Sequence, residues 1–225
     1  MSTKTLVSTS IHDAAALPSL VADGLACRRG NRLLFKGLNL SLGAGRALWL
    51  RGRNGSGKTS LLRLAAGLSV PADGQITWAG VPVRRHAGFA RQMLYVGHAN
   101  ALKDDLSTTE SLRFLAVMHG RRADAAALQQ ALAKVGMASR QDALVRTLSQ
   151  GQRRRASLAR LALETEAALW ILDEPYDALD VDGVAIVDAL LHEHLARGGS
   201  LLFTSHQPPG DAAPSMAQID LGAYV

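Results

Sequence analysis

Short apolar runs bounded by turn residues organise the chain from Ser19 onward. Three of these runs predict β-strands, namely SLVADGLACRR, LLFKGLNLSLG and RALWLRG. The third run leads directly into a glycine-rich stretch and then into KTSLLRLAAGL, whose apolar spacing is that of an amphipathic helix. A pair of strands in QITWAGVPV and a further strand in MLYVGH are predicted to follow.

The pattern changes to a helical period between residues 107 and 165. Three helices are predicted there, with Ser107 or Thr108 placed to cap the first. After Glu166 the sequence predicts a buried strand in ALWILD, a long helix and another strand in SLLFTS. A mostly helical insert therefore interrupts an α/β core, and residues 19–225 are expected to form one domain with two lobes.

Composition supports a folded domain but leaves its partner open. The chain has 225 residues, of which 48% are hydrophobic and 20% charged, so it can bury a sizeable core. Its net charge of +6 and its pI near 10 are compatible with nucleic acid, an anionic membrane surface or a nucleotide. The basic residues are spread along the chain apart from the run Arg153-Arg154-Arg155, so charge alone does not select among these partners.

Neither a targeting segment nor a disulfide is predicted. Residues 1–18 are rich in Ser, Thr and Ala and are expected to form a flexible tail. This tail lacks an uninterrupted apolar segment and contains Asp13, so a signal peptide is not expected. No stretch approaches the roughly 20 apolar residues that cross a bilayer, which predicts a cytosolic or peripheral protein. Cys27 is the only cysteine, which excludes an intrachain disulfide and a cysteine metal site.

A glycine-rich segment from Gly52 to Thr59 carries the first chemical signal. It fits the phosphate-loop pattern G-x-x-x-x-G-K-[ST], between a predicted strand and a predicted helix. Its glycines let backbone N–H groups turn towards a phosphate, and the helix adds the positive end of its dipole. Lys58 is predicted to neutralise phosphate oxygens, and the Thr59 hydroxyl is predicted to bind Mg²⁺.

A second signal is the apolar strand Leu169–Leu172, which ends in Asp173 and Glu174. A strand that is buried on both faces is continuously apolar, and ligands gather at the carboxyl ends of such strands in open α/β sheets. Asp173 is therefore predicted to hold Mg²⁺ through water, and Glu174 to polarise the attacking water.

The segment LSQGQ, from Leu148 to Gln152, makes the assignment specific. By itself it predicts only a helix that begins with a Ser149 cap. Between a phosphate loop and an acidic strand, it resembles the signature motif of the ABC ATPases. Ala178-Leu179-Asp180 resembles the D-loop of that family, and His206, directly after SLLFTS, resembles its switch histidine.

This resemblance covers the chain from end to end and implies a fold and a set of ligands. The implied fold is a phosphate-loop NTPase cassette with a RecA-like α/β core, an antiparallel β subdomain and an inserted α-helical subdomain over residues 107–165. The implied ligands are ATP and Mg²⁺, with Thr59 and Asp173 on the metal and Glu174 and His206 in catalysis. The implied ATP-binding residues are Gly52, Arg53, Asn54, Gly55, Ser56, Gly57, Lys58, Thr59, Ser60 and His98.

The resemblance also implies a homodimer in which two chains pair head to tail. In that arrangement the signature of one chain contacts the γ-phosphate that the other chain binds, and Asp180 links the two sites. The implied signature residues are Ser149, Gln150, Gly151 and Gln152.

Two positions depart from the general family pattern. His98 occupies the slot of the Q-loop glutamine, and an imidazole lacks the amide oxygen that would contact the metal. Arg28 or Arg29 occupies the slot of the aromatic residue that stacks on adenine, a task that a planar guanidinium can also perform.

Several details are similar to one branch of the family. The resemblance is to the ATP-binding subunits of cytochrome c biogenesis (haem exporter) complexes. It rests on Tyr95-Val96-Gly97-His98, Trp78, Trp170 and the segment TSHQP at 204–208. This implies a peripheral subunit on the cytoplasmic face of the inner membrane, bound to integral membrane permease subunits and acting indirectly on a haem-handling chaperone. No C-x-x-C-H haem motif occurs in the sequence, so haem is assigned to the partners.

Alternative functions stay open at this stage. Another small ABC transporter subunit with a different cargo would carry the same motifs. An ABC ATPase acting on nucleic acid is favoured by the pI and the arginine run, but the chain has one cassette and no zinc cysteines, so no nucleic-acid partner is expected. The arginines of the helix after LSQGQ are expected on a solvated face. A GTPase or kinase would leave LSQGQ unexplained, and the chain lacks the N-K-x-D guanine motif.

Overall fold

Two β-sheets of different connectivity organise the computed structural model, which describes residues 19–206 and 214–224. The predicted tail over residues 1–18 lies outside the described residues. The strands are, in chain order, β1 (Leu20–Arg29), β2 (Arg32–Leu42), β3 (Ala47–Arg51), β4 (Asp73–Trp78), β5 (Val81–Pro82), β6 (Met93–Val96), β7 (Leu169–Leu172), β8 (Ser200–Thr204) and β9 (Ala217–Asp220).

The helices separate the strands and fill the middle of the chain. They are α1 (Lys58–Ala65), α2 (Phe89–Gln92), α3 (Thr108–Met118), α4 (Ala125–Lys134), α5 (Gln150–Leu163) and α6 (Val181–Ala196). Short 3₁₀ turns lie at Ala138–Arg140, Val145–Thr147 and Leu221–Tyr224. None of the helices in the described part of the chain combines the length and apolar character needed to cross a bilayer.

The first sheet has the order β2-β1-β4-β5 and is antiparallel throughout. The second has the order β6-β7-β8-β3-β9, and each of its strand pairs is parallel. All residues of β7 and β8 are buried, as expected for central strands of a parallel sheet. The predicted α/β class with a separate antiparallel sheet and a helical insert is confirmed.

Capping boxes define where two helices of the insert begin. Helix α3 begins after Ser107, whose hydroxyl accepts a hydrogen bond from Glu110 N at 3.2 Å while the Glu110 carboxylate accepts one from Ser107 N at 2.8 Å. Ser149 and Gln152 form the same reciprocal pair at the start of α5. Each box satisfies backbone donors that the first helical turn leaves unpaired. Of the two predicted caps for α3, Ser107 is therefore correct.

Two apolar clusters form the interior. One lies between the antiparallel sheet, α1 and one face of the parallel sheet, with Phe35, Leu62 and Trp78 at its centre. The other joins the opposite face of the parallel sheet to α4, α5 and α6, with Leu132, Trp170 and Phe203 fully or almost fully buried. The two clusters cover the two faces of the parallel sheet. The edge at which its strands have their carboxyl ends therefore lies between the clusters.

The expectation of a solvated arginine face on α5 is wrong for two residues. Arg154 and Arg160 are only 3% and 7% exposed. Arg153 contacts Asp104 at 2.9 Å, and Arg155 is paired with Asp180. The helix lies between the parallel sheet and the rest of the insert, so the two buried arginines meet carbonyl oxygens instead of water, whereas Arg153 and Arg155 are partly exposed.

Strand β9 was not predicted from the sequence. It pairs in parallel with β3 at the edge of the sheet, and its residues are exposed or half-buried. The strand has only four residues, AQID, and no continuous apolar run, so the hydrophobic pattern does not reveal it.

Candidate functional site

The phosphate loop connects β3 to α1 and requires glycine at several positions. Gly52, Gly55 and Gly57 have φ angles of 145°, 79° and 104°, a region that other residues adopt rarely. A Cβ atom at Gly52 would lie 2.6 Å from Ser56 Oγ, and one at Gly57 would lie 3.1 Å from the Phe35 ring. The loop is therefore a tight turn whose shape only glycine permits, and Gly57 caps α1 without using a side chain.

Lys58 and Thr59 extend from the first turn of α1 towards the loop and the sheet. The Lys58 ammonium group donates to the carbonyl of Gly52 at 2.9 Å and is 8% exposed. Thr59 donates its hydroxyl hydrogen to Asp173 Oδ2 at 2.9 Å. A cation, a hydroxyl group and a carboxylate thus meet where the loop faces the end of β7.

Asp173 and Glu174 leave the carboxyl end of β7 and are both held by Thr204, the last residue of β8. Thr204 donates its hydroxyl hydrogen to Asp173 Oδ1 at 2.8 Å and accepts a hydrogen bond from Glu174 N at 2.9 Å. Asp173 is 2% exposed, and both of its carboxylate oxygens accept a hydrogen bond from a threonine. Sequence reasoning missed this role of Thr204; its signal is a polar residue at the carboxyl end of a neighbouring buried strand.

Glu174 and His206 lie in direct contact. Glu174 Oε2 accepts a hydrogen bond from His206 N at 2.8 Å, and Glu174 Oε1 lies 3.5 Å from His206 Nε2. Glu174 has a φ angle of 51°, which is unusual for a residue with a side chain and turns the chain sharply at the strand end. The two residues predicted to be catalytic are therefore adjacent, although they are far apart in the sequence.

A cavity of about 420 Å³ joins these groups at the edge of the sheet. Arg29 lines it and Arg28 does not, so Arg29 is the better candidate for the slot next to a nucleotide base. His98, an exposed residue on the loop after β6, also faces this cavity. The predicted site residues that line it are Asn54, Gly55, Gly57, Lys58, Thr59, Ser60, His98, Asp173, Glu174 and His206.

The remaining phosphate-loop residues face a neighbouring groove. It is lined by Gly52, Arg53 and Ser56 and also by Asn54, Gly55 and His206, which the two depressions share. The loop therefore separates two depressions, and the larger number of predicted ligands faces the one that contains Asp173.

The predicted signature residues lie at a separate depression, also of about 420 Å³, and none of the described residues lines both this depression and the first. Ser149, Gly151 and Gln152 line it together with Ala178 and Asp180. A Cβ atom on Gly151 would lie 2.9 Å from the Ala178 carbonyl oxygen, so the signature and the D-loop pack closely. Gln150 begins α5 and is exposed, but it does not line this depression. Within one chain, then, the signature does not meet the phosphate loop.

Asp180 connects this depression to two helices. Its carboxylate caps α6 by accepting from Gly183 N at 2.9 Å, and it pairs with the guanidinium of Arg155 on α5. The hydrogen bond from Arg155, followed by the one from Gly183, lowers the pKa of Asp180. The signature helix and the D-loop are thus tied to each other by an ion pair.

Arg154 is a further site residue that the sequence interpretation did not identify. Its guanidinium lies beneath the site and donates to the carbonyl oxygens of Asp173 and Glu174. Burial lowers its pKa, and the nearby carboxylates, foremost that of Asp177, act in the opposite direction. The spacing of apolar residues along α5 could have predicted its burial. Residue 154 shares the inner face of the helix with Leu158 and Leu161, which are buried at the i+4 and i+7 positions.

The donor set fits a hard divalent cation bound together with a nucleotide. Mg²⁺ prefers oxygen ligands and usually takes only one or two from the protein, beside phosphate oxygens and water. Thr59 Oγ1 and Asp173 Oδ2 lie together at the phosphate loop and supply this kind of ligand. Within residues 19–206 and 214–224 there is no group of three or more His, Cys, Asp or Glu residues that would hold a metal ion by itself.

Comparison with known proteins agrees with this arrangement. The family model described as "ABC transporter" matches residues 35–177. A curated protein of Methylococcus capsulatus, named cytochrome c biogenesis ATP-binding export protein CcmA, is 52% identical over 188 residues, which is 83% of this chain and 90% of that protein. Proteins of the same name from Aromatoleum aromaticum and Albidiferax ferrireducens are 46% and 44% identical and cover 88% and 92% of this chain and 92% and 94% of their own length.

Solved structures show the same fold. A putative ABC transporter ATP-binding protein of Pyrococcus furiosus superposes with a TM-score of 0.79, at 23% identity, over 92% of this chain and 98% of that one. The chain therefore belongs to the ABC transporter family, among the cytochrome c biogenesis ATP-binding export proteins.

Proposed function

We propose that the chain is the ATP-hydrolysing subunit of a haem exporter complex that serves c-type cytochrome biogenesis. The names of its relatives at 42–52% identity support the biological role. The observation that carries the chemistry is the placement of Thr59, Asp173 and Glu174 around one cavity beside a phosphate loop. In this proposal a cassette dimer acts on integral membrane permease subunits at the cytoplasmic face of the inner membrane.

Each site residue has a separate role in the transfer of the γ-phosphoryl group of ATP to water. Backbone N–H groups of the phosphate loop and the Lys58 ammonium group neutralise the phosphate oxygens of ATP. Thr59, and Asp173 through water, would hold Mg²⁺, which when bound would supply further positive charge to the phosphate oxygens. Glu174 accepts a proton from the attacking water, and His206 contacts the γ-phosphate and holds the Glu174 carboxylate.

A second chain completes the site in this proposal. Ser149 and Gly151 line a depression that is distinct from the phosphate-loop cavity, which supports the proposal that they would contact a γ-phosphate bound by another copy. Head-to-tail pairing would bring each signature against the phosphate loop of the partner and close the cavity against water. Hydrolysis would reopen the dimer. The loop over residues 97–107, between β6 and α3 and here called the His98 loop, would pass this motion to the permease.

Haem is assigned to the partners and not to this subunit. The sequence contains no C-x-x-C-H motif, so we assign haem binding to the permease or to a haem-handling chaperone. ATP turnover would drive haem handling by releasing the haem-loaded chaperone.

The test is a stain for covalently bound haem in the native host when the chain is replaced by its Lys58→Ala variant. We expect mature c-type cytochromes to disappear while b-type haem proteins persist. The matched control is Lys36→Ala, because Lys36 is an exposed strand residue outside the site. Mature cytochromes at the wild-type level in the Lys58→Ala strain would contradict the haem role and favour another cargo.

A further inference from the structure

We propose that Arg154 is a positioning residue for ATP hydrolysis: it ties the His98 loop to the backbone of Asp173 and Glu174 and so aligns the Glu174 carboxylate. This inference rests on the proposed function and adds a residue to it. Arg154 acts through Glu174 and does not itself line the nucleotide cavity.

The contacts of Arg154 join three segments that are distant in the sequence. Its Nη2 donates to the carbonyl oxygens of Glu174 at 2.6 Å and Asp173 at 3.0 Å. Its Nη1 donates at 3.3 Å to the Gly97 carbonyl and at 3.3 Å to Asn100 Oδ1. One buried side chain on α5 therefore holds the end of β7 and the loop after β6 at the same time.

The Glu174 backbone needs such support. Its φ angle of 51° lies in the left-handed region, which is unfavourable for a residue with a side chain and persists only where surrounding contacts enforce it. The Glu174 N–H bonds to Thr204 and its carbonyl to Arg154, so both backbone polar groups are held by side chains of other elements. Losing the carbonyl contact would let the peptide rotate and move the carboxylate.

Stability alone does not explain a guanidinium at this position. Arg154 is 3% exposed and its Nε has no hydrogen-bond partner among the residues that the structure describes, so part of its desolvation is uncompensated. An apolar side chain at a buried position of this kind is often as stable as a buried ion or more so. Unlike an apolar side chain, the planar guanidinium donates hydrogen bonds to several oxygens in fixed directions.

The same helix holds the His98 loop at a second point. Ser157, one turn after Arg154, donates its hydroxyl hydrogen to the Asn100 carbonyl at 2.9 Å. Helix α5 also begins at the Ser149 cap of the signature. A shift of the loop or of the signature helix is therefore passed through Arg154 to the peptide of Glu174.

The test compares Arg154→Ala with Arg153→Ala in the purified full chain. Arg153 is the adjacent arginine on α5, partly exposed and paired with Asp104, so it controls for loss of charge on this helix. Because a misplacement of about 1 Å at a reacting group costs about 100-fold in rate, we expect Arg154→Ala to lower kcat for ATP hydrolysis by about 10- to 100-fold. The KM for ATP should stay within about threefold of the wild type, since Arg154 contacts no phosphate-loop residue, and millimolar guanidinium ion should restore part of the rate.

Arg154→Lys keeps the charge and the aliphatic stem but cannot span four acceptors, so it decides the question if Arg154→Ala does not fold. Its kcat should fall about tenfold with little change in melting temperature. A kcat for a folded Arg154 variant equal to that of Arg153→Ala would overturn the inference, as would a fall confined to KM. The proposed function is tested separately by the wild type, which should hydrolyse ATP, and by Glu174→Gln, which should not. If the wild type does not hydrolyse ATP, the proposed function fails, and the inference about Arg154 fails with it.

Discussion

At the scale of single residues, one hydroxyl group sets the geometry of the acidic pair. Thr204 donates to Asp173 and accepts from the Glu174 N–H, so the two acids point in different directions from one strand end. Asp173 is directed to Thr59, whereas Glu174 is directed to His206. One carboxylate is thereby suited to a metal and the other to a water molecule, although they are neighbours in the chain.

Glu174→Gln should lower the steady-state rate of ATP hydrolysis by about 100-fold or more, because the amide cannot accept a proton from water. ATP binding should persist, since phosphate loop and Lys58 are unchanged, and the variant should accumulate as an ATP-bound dimer. Turnover is measured by phosphate release and dimer formation by size-exclusion chromatography with ATP.

The control for this change is Glu193→Gln, which removes the charge of a partly exposed glutamate that is paired with Lys134 and does not line the cavity. It should hydrolyse ATP at the wild-type rate. Fast turnover by Glu174→Gln would contradict the role given to this residue.

At the scale of secondary-structure elements, the helical insert depends on its caps. Helix α3 is 11 residues long, and isolated helices of that length are marginal in water. The capping box of Ser107 and Glu110 and the packing of Leu112 and Leu115 fix its start and its inner face. This helix carries Ser111, whose hydroxyl accepts from Lys103 N at 3.2 Å in the loop beyond His98.

Ser107→Ala should lower the free energy of unfolding by about 1 kcal/mol, because the N-cap loses its side-chain acceptor. For a domain of this size that corresponds to a fall of about 2–4 °C in melting temperature. Ser107→Gly is the matched comparison, since glycine at an N-cap costs only about a few tenths of a kcal/mol relative to serine. Thermal unfolding followed by circular dichroism measures both, and a melting temperature of Ser107→Ala equal to that of the wild type would show that the hydroxyl contributes nothing.

At the scale of the whole molecule, the second apolar cluster contains a buried histidine. His194 on α6 is 1% exposed and stacks on Trp170 with ring centroids 3.9 Å apart. Its Nε2 lies 3.0 Å from the Ser200 carbonyl oxygen and donates to it in the neutral form. Burial lowers the pKa of His194 to about 4.

This pKa makes the stability of the fold depend on pH. The unfolded chain binds a proton at His194 near pH 6.5 and the folded chain only near 4, so the stabilisation is complete above pH 6.5 and is lost as the pH falls towards 4. His119, whose pKa is lowered by burial and then by Arg160, acts in the same direction. Urea unfolding at pH 7.5 and 5.5 should give free energies that differ by about 1 kcal/mol or more, with the lower value at pH 5.5.

His194→Phe keeps a ring against Trp170 and should reduce this difference. It should also lower stability at pH 7.5 by about 1–3 kcal/mol, because the Ser200 carbonyl loses its donor. Equal free energies of unfolding for the wild type at the two pH values would contradict a lowered pKa of His194 in the folded protein.

The sequence by itself determined most of the fold and predicted most of the residues that line the phosphate-loop cavity. The buried strands β7 and β8 are continuous apolar runs, and the helices of the insert show a clear period and recognisable caps. The phosphate loop and the acidic strand end are local patterns, because each consists of residues that are adjacent in the sequence. Edge strand β9 was missed because it has only four residues, of which two are polar and none is buried.

Only the tertiary structure decided how distant residues meet. Thr204 on β8, His206 after it and Arg154 on α5 reach the end of β7 because the parallel sheet brings the carboxyl ends of its strands to one edge and α5 packs beneath it. The burial of Arg154 depends on carbonyl groups freed where two strands end, and a sequence period shows neither their direction nor their distance. Local patterns follow from adjacent residues, whereas these contacts follow from packing, and so they had to be seen in three dimensions.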